Sequence, residues 1–196
     1  MGLKKKAGEI RDNAAAYKIT YQDYLLLPEE PGCKIEVLDG VIIRDPSPGT
    51  RHQITSSRLQ RMLTDYFSSK DPEGIVFDAP LDVTLSAADI FQPDLIYVSG
   101  KQRNIVEEQR INGSPELLIE ILSPGSYQRD RVLKMEAYRK SGVPHYWLVD
   151  PVERTIEAFV LTNELYALNS AACCDGVFSH SAFPGLEILL KDIWTD

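Results

Sequence analysis

Two runs, FQPDLIYVSG at residues 91–100 and ELLIEILSPGS at residues 116–126, decide how this chain folds. The second is rich in Leu and Ile and is closed by Pro124 and Gly125, the composition of a strand followed by a turn. Side chains on a strand alternate between its faces, so Leu118, Glu120 and Leu122 share one face and Leu117, Ile119 and Ile121 the other. Glu120 is therefore a carboxylate set among leucines. Ionised and unpartnered there, it would cost several kcal/mol, so it requires a cation, a hydrogen-bond network or a place at the sheet edge. In the first run Asp94 follows Pro93, whose missing N–H suits a strand start or edge. Two such carboxylates facing one cleft repel each other, and a hard divalent cation with oxygen ligands relieves the repulsion. Mg²⁺ is the expected ion, with Mn²⁺ as a substitute.

Further motifs follow in a fixed order: Glu120-x-Leu122-Ser123-Pro124, then Arg129-Asp130-Arg131-x-x-Lys134-x-x-x-Tyr138, then YWLVDP at residues 146–151. With the Pro93-Asp94 pair ahead of them, this set resembles the PD-(D/E)XK nuclease superfamily and, more narrowly, its Uma branch of restriction endonucleases. The resemblance runs from about Tyr21 to the FPGLEILLKDIW segment at residues 183–194. It implies a restriction-endonuclease-like α/β fold, a mixed central sheet flanked by helices and carrying additional β-hairpins. It also implies a Mg²⁺-dependent endonuclease with DNA as its substrate. The superfamily's usual lysine lies two residues after the acidic residue, a position held here by Leu122. Resemblance to the Uma branch implies that the lysine has moved to the following helix, as Lys134. The implied catalytic set is Asp94, Glu120, Lys134 and Glu36, with Asp94, Glu120 and the Ile121 carbonyl as metal ligands. His52, Gln92 and Arg131 are candidate substrate contacts, and restriction-like enzymes that cut two strands imply a homodimer.

Each assignment has a plainer reading beside it. Glu36 lies on the first arm of a hairpin and could be an exposed carboxylate beside Lys34 or Arg44. His52, at a helix start, could be structural. Lys134 follows Asp130 by four residues, and as a surface pair that spacing is worth about 0.3 kcal/mol. Tyr138, one turn further on, reads as a core residue. For the whole protein the alternative is a catalytically inactive nuclease fold that binds nucleic acid or a protein partner, a reading that rests on Leu122 and on the acidic balance.

Composition bounds these readings. The chain has 196 residues, long enough for one well-cored domain, and residues 17–196 are expected to form it behind a flexible arm at residues 1–16. No apolar run approaches the roughly 20 residues that cross a bilayer, and MGLKKKAGEI has no apolar core behind its lysines, so a cytoplasmic location is expected. Three cysteines, two of them the adjacent Cys173 and Cys174, suit neither a disulfide framework nor a zinc site and read as packing residues. The formal charge of −8 weighs against broad binding to polyphosphate. Residues 128–140 nevertheless carry five basic residues against two acidic ones, directly after the proposed site.

Pattern sets the remaining elements. TYQDYLLL reads as a short helix capped by Thr20, and KIEVLDGVIIRD as a hairpin turning through Asp39-Gly40. RHQITSSRLQRMLTDYF has helical spacing in Ile54, Leu59, Met62, Leu63, Tyr66 and Phe67. GIVFDAPLDVTLS reads as one bent strand or two short ones broken at Pro80, and FQPDLIYVS as the next strand. DRVLKMEAYRKSG reads as a helix stopping at Gly142, with Val132, Met135 and Tyr138, or Leu133 and Ala137, toward the core. VPHYWLVDP and RTIEAFVLT pair through the turn from Asp150 to Arg154, and the rest is strand, turn and strand.

Overall fold

The fold is described by a computed structural model in which residues 17–194 are described, so the expected arm at residues 1–16 lies outside the described residues. In chain order the elements are α1 (Tyr21–Tyr24), β1 (Cys33–Leu38), β2 (Val41–Pro46), α2 (Thr50–Lys70), β3 (Ile75–Asp78), β4 (Asp82–Ser86), β5 (Asp89–Phe91) and β6 (Leu95–Val98). A 3₁₀ turn at Gly100–Ile105 precedes β7 (Arg110–Asn112) and β8 (Leu117–Ile121). A π-helical turn over Arg129–Lys134 runs into α3 (Met135–Lys140). The chain closes with β9 (His145–Asp150), β10 (Thr155–Thr162), β11 (Leu165–Cys173), β12 (Val177–Ser179) and β13 (Glu187–Leu189).

Two sheets carry the architecture. One has six strands in the order β11-β10-β9-β8-β6-β3, the other five in the order β2-β1-β5-β4-β7. Both are mixed: β8 runs parallel to β9, β4 parallel to β7, and the other pairs are antiparallel. This is the α/β class expected from the sequence, with α2 packed on the larger sheet.

The alternation on β8 sorts its side chains into two separate cores. Leu117, Ile119 and Ile121 join Leu59, Leu63 and Phe67 of α2 and Phe178, Phe183 and Trp194 of the C-terminal segment. Leu118 and Leu122 face the other way and pack with Val83, Phe91 and Ile111 of the smaller sheet and with Tyr138. Each fully buried Leu or Phe contributes about 1.5–3 kcal/mol relative to exposure, so the two clusters hold β8 from both sides. Glu120 lies between Leu118 and Leu122, on the face turned toward the smaller sheet. A third, small cluster of Tyr21, Val37 and Ile90 attaches α1 to that sheet's outer side. Thr20 and Asp23 cap α1 reciprocally, as the sequence implies.

The hairpin β1-β2 forms as read, Leu38 opposite Val41, with positive φ at Asp39 (49°) and Gly40 (78°) as a type I′ turn requires. Gly142 likewise ends the helix, with a φ of 78°.

Several expectations are corrected. FQPDLIYVS is two strands in different sheets: β5 ends at Phe91 in the smaller sheet and β6 starts at Leu95 in the larger. The Gln92-Pro93-Asp94 segment is the crossing between them. GIVFDAPLDVTLS also divides at Pro80, β3 entering one sheet and β4 the other. On α2, Ile54 is exposed and Thr55 takes the buried position before Leu59 and Leu63. Tyr138 is buried as its spacing implies, but the π-helical turn brings Asp130 and Lys134 inward with it and leaves Val132 and Leu133 exposed. One wide turn shifts the register, so the apolar spacing alone misassigns the face. Cys173 and Cys174 are exposed on and after an edge strand instead of packed. No helix among the described residues is long and apolar enough to cross a membrane.

His145 and His180 meet edge to face, centroids 5.1 Å apart, beside Trp147 and Phe183. Burial, and then the neighbouring His180, push the His145 imidazole from 6.5 down to about 4, and burial lowers His180 as well. Between about pH 6.5 and 4 the unfolded chain therefore binds more protons than the folded one, and stability falls as pH falls through that window. Thermal melts from pH 7 to 5 should show a falling Tm in the wild type and a flatter profile in His145→Gln/His180→Gln.

Candidate active site

β1, the crossing segment, β8 and the π-helical turn converge on one cleft of about 330 Å³. β8 contributes Glu120 from the centre of the larger sheet, and β1 contributes Glu36 from the facing side of the smaller. The crossing supplies Asp94, because a chain that leaves one sheet and enters the other must pass between them. Glu36, Asp94, Glu120, Asp130 and Lys134 are all buried.

Lys134 is the hub. Its Nζ lies 3.0 Å from both Glu36 oxygens, 3.0 Å from Glu120 Oε1 and 3.5 Å from Asp130 Oδ1. The Tyr138 hydroxyl donates to the same Glu120 oxygen at 2.6 Å. Asp94 is held from two sides, its Oδ2 accepting from the Ile121 N–H at 2.7 Å and from His52 Nε2 at 3.1 Å. Asp94 and Glu120 thus flank one peptide unit of β8. Lys34 completes the cluster, donating to the Gln92 carbonyl at 2.9 Å and lying 3.4 Å from Glu36.

The charge states follow from these contacts. Burial raises the Glu120 carboxyl to about 8, Lys134 opposing the rise and Asp130 adding to it. Burial likewise raises Asp130 against the pull of Lys134. Glu36 and Asp94 go the other way. Burial works against their ionised forms, but Lys134, Lys34 and the Gln92 N–H hold Glu36 below the ordinary range, and His52, Lys34 and the Ile121 N–H do so for Asp94. Lys134 is held well above its usual value, its three carboxylates outweighing burial.

The residues suit a divalent cation by charge and by donor type. Four carboxylates (Glu36, Asp94, Glu120, Asp130) meet two ammoniums (Lys34, Lys134), so with all four ionised the surplus is two negative charges, and the raised Glu120 and Asp130 carboxyls reflect that excess together with burial. Asp94 Oδ1 and Glu120 Oε2 accept no hydrogen bond from the described residues, whereas their partner oxygens are committed. Among the described residues no three His, Cys, Asp or Glu side chains enclose a metal. Two carboxylates with the remaining positions left to water and phosphate is the coordination Mg²⁺ tolerates, since it gives up water reluctantly.

The other sequence candidates fall into two groups. His52 reaches the cleft and touches Asp94. Gln92 borders it, but its side chain donates to Asp82 (2.9 Å) and Tyr24 (3.2 Å), its N–H to Glu36 and its carbonyl accepts from Lys34, so it works as a bracket inside the wall. Arg131 is not brought to the cleft: it pairs with Glu157 and lies over the Tyr127 ring. The basic segment is not a free patch either, since Arg129 pairs with Asp45, and Arg139 and Lys140 pair with Glu136. Arg44, the alternative neighbour of Glu36, pairs with Glu30 instead.

Two participants escape a reading by apolar spacing: Asp130 is a buried partner of Lys134 and not a surface one, and Lys34 enters from β1. Tyr138 is the core residue expected, and its hydroxyl also donates to Glu120. The spacing Asp130, Lys134, Tyr138, every fourth residue, aligns an acid, a base and a hydroxyl on one helix face.

Comparison with known proteins identifies the family. The family model Uma2, described as "Putative restriction endonuclease", matches residues 21–191. The chain belongs to that family. Among solved structures it is similar to the crystal structure of "a putative nuclease belonging to DUF820" from Anabaena variabilis ATCC 29413. The identity is 23%, over 90% of this chain and 97% of the other, with a TM-score of 0.71. That likeness shows a shared fold. No curated protein matches the chain.

Removing Lys134 would leave three buried carboxylates without their common cation. Lys134→Met should lower the free energy of unfolding by about 3–5 kcal/mol, read by urea denaturation, and adding Glu36→Gln should recover part of the loss.

Proposed function

We propose that this chain is a divalent-metal-dependent endonuclease that hydrolyses phosphodiester bonds in DNA, with Mg²⁺ as its ion and Mn²⁺ able to substitute. The observation that carries this reading is the pairing of Asp94 and Glu120 across one peptide of β8, each with one oxygen fixed and the other turned to the cleft. Membership of a family described as "Putative restriction endonuclease" supports it.

Asp94 Oδ1, Glu120 Oε2 and the Ile121 carbonyl would hold the metal, which when bound lowers the pKa of a water and screens charge on phosphorus. The protein's own groups do the rest. His52 and the Ile121 N–H fix the Asp94 rotamer. Lys134 and Tyr138 fix Glu120, and Lys134 also favours its ionised form. Glu36, bound to Lys134 and Lys34, sets where the two ammoniums lie. Hydrolysis joins the water oxygen to phosphorus and breaks one P–O ester bond, the departing oxygen taking up a proton. Such preorganised charge avoids reorganisation during reaction, and loss of one such group commonly costs ~10²-fold or more in rate. Two copies acting together, one on each strand, would cut a duplex.

The test is cleavage of supercoiled plasmid and of single-stranded DNA with Mg²⁺ or Mn²⁺. Wild type should cut only with metal, and Asp94→Asn and Glu120→Gln should each lose at least about 100-fold. Because burial disfavours the Glu120 charge, Glu120→Gln should melt no lower than wild type, which separates lost chemistry from lost folding. A wild type that binds DNA but never cuts with either metal would instead support the inactive, binding-only reading.

A further inference from the structure

The two lysines that line the cleft are not equivalent. An ammonium has three N–H donors. Lys134 donates to Glu36 and Glu120 at 3.0 Å each and faces Asp130 at 3.5 Å, and its side chain, 2% exposed, is enclosed by these carboxylates. Lys34 is 20% exposed, and among the described residues it has two partners, the Gln92 carbonyl and Glu36. Its third N–H is unclaimed at the cleft wall.

The location of Lys34 matters as much as its free donor. It lies two residues from Glu36 on β1 and so shares a face with it, it lines the cleft, and it grips the backbone of the crossing segment two residues before Asp94. Burial and Lys134 disfavour its charge, but Glu36, Glu120 and Asp94 outweigh them and keep it protonated. The arginines of the 128–140 segment are bound to Asp45, Glu157 and Glu136, and none of them lines this cleft.

We propose that Lys34 is the residue that contacts the scissile phosphate, while Lys134 is a positioning residue that acts through Glu120 and Glu36. The inference rests on the nuclease reading for its substrate. It divides between two lysines the roles of phosphate contact and carboxylate support, and gives the first to a residue outside the Asp94–Glu120–Lys134 set.

A labelled DNA duplex, titrated by fluorescence anisotropy with Ca²⁺ in place of Mg²⁺, reads this contact without turnover. Lys34→Gln, which keeps a donor for the Gln92 carbonyl, should weaken binding roughly tenfold and lower the slope of log affinity against log salt by about one. Lys34→Arg should retain the wild-type slope, and so should Arg139→Gln, which removes a cation paired with Glu136 outside the cleft. A slope for Lys34→Gln equal to that of wild type would overturn the proposal, as would an equal fall in slope for Arg139→Gln. Should Lys34→Gln prove unfolded by near-ultraviolet circular dichroism, Lys34→Met in an Asp130→Asn background supplies the same comparison with the cluster's charge balance restored. The nuclease reading fails separately, through absence of cleavage by wild type with Mg²⁺ or Mn²⁺, and the salt slope still decides whether Lys34 meets a phosphate.

Discussion

Everything at the centre of this molecule depends on one ammonium shared by three buried carboxylates. Lys134 opposes the burial that drives Glu120, set between Leu118 and Leu122, toward its neutral form, and it offsets the repulsion from Glu36 and Asp130 across the same small volume. Such a cluster adds little to stability compared with an apolar core of the same size, because desolvation offsets most of the Coulomb attraction. Its retention in a protein whose cores are otherwise dominated by Leu, Ile, Val and aromatic residues points to use in chemistry.

The two-sheet architecture is what makes the cluster possible. Glu36 comes from the smaller sheet, Glu120 from the larger, and Asp94 from the short piece of chain that joins them. The apolar contacts between the sheets exclude water from the carboxylates on their inner side, while the mouth of the cleft stays open where the crossing segment, β1 and the start of α2 come together. Packing and reactivity therefore have the same origin: the face of β8 that builds a core also supplies the low-dielectric wall that perturbs Glu120.

Much of this was legible in the sequence, and the reasons it stopped where it did are physical. The alternation of β8 predicts which leucines share a face with Glu120, because a strand's period is fixed. Asp39-Gly40 predicts its hairpin, because few residue pairs accept two positive φ angles in succession. The division of FQPDLIYVS was not legible, since Phe91 and Leu95 are both strand-like and nothing local says that they join different sheets. The burial of Asp130 and Lys134 was hidden by the π-helical turn, which departs from the 3.6-residue period that the spacing argument assumes. Asp94, Glu120, Lys134, Glu36 and His52 were named in advance and the structure brings them together. Arg131, chosen for its charge within a basic segment, lies elsewhere, because a residue's charge does not reveal which partner has already claimed it.

Leu122 and the π-helical turn have a joint consequence for how such a site can change. A lysine at position 122 would ride on the pleat of β8, so any adjustment of its reach would disturb the ladder to β9 and the core behind it. Carried on a turn with a widened winding, the ammonium belongs to an element outside the strand ladders, so its reach to Glu36 and Glu120 is set by the winding of that turn and not by the pleat of β8.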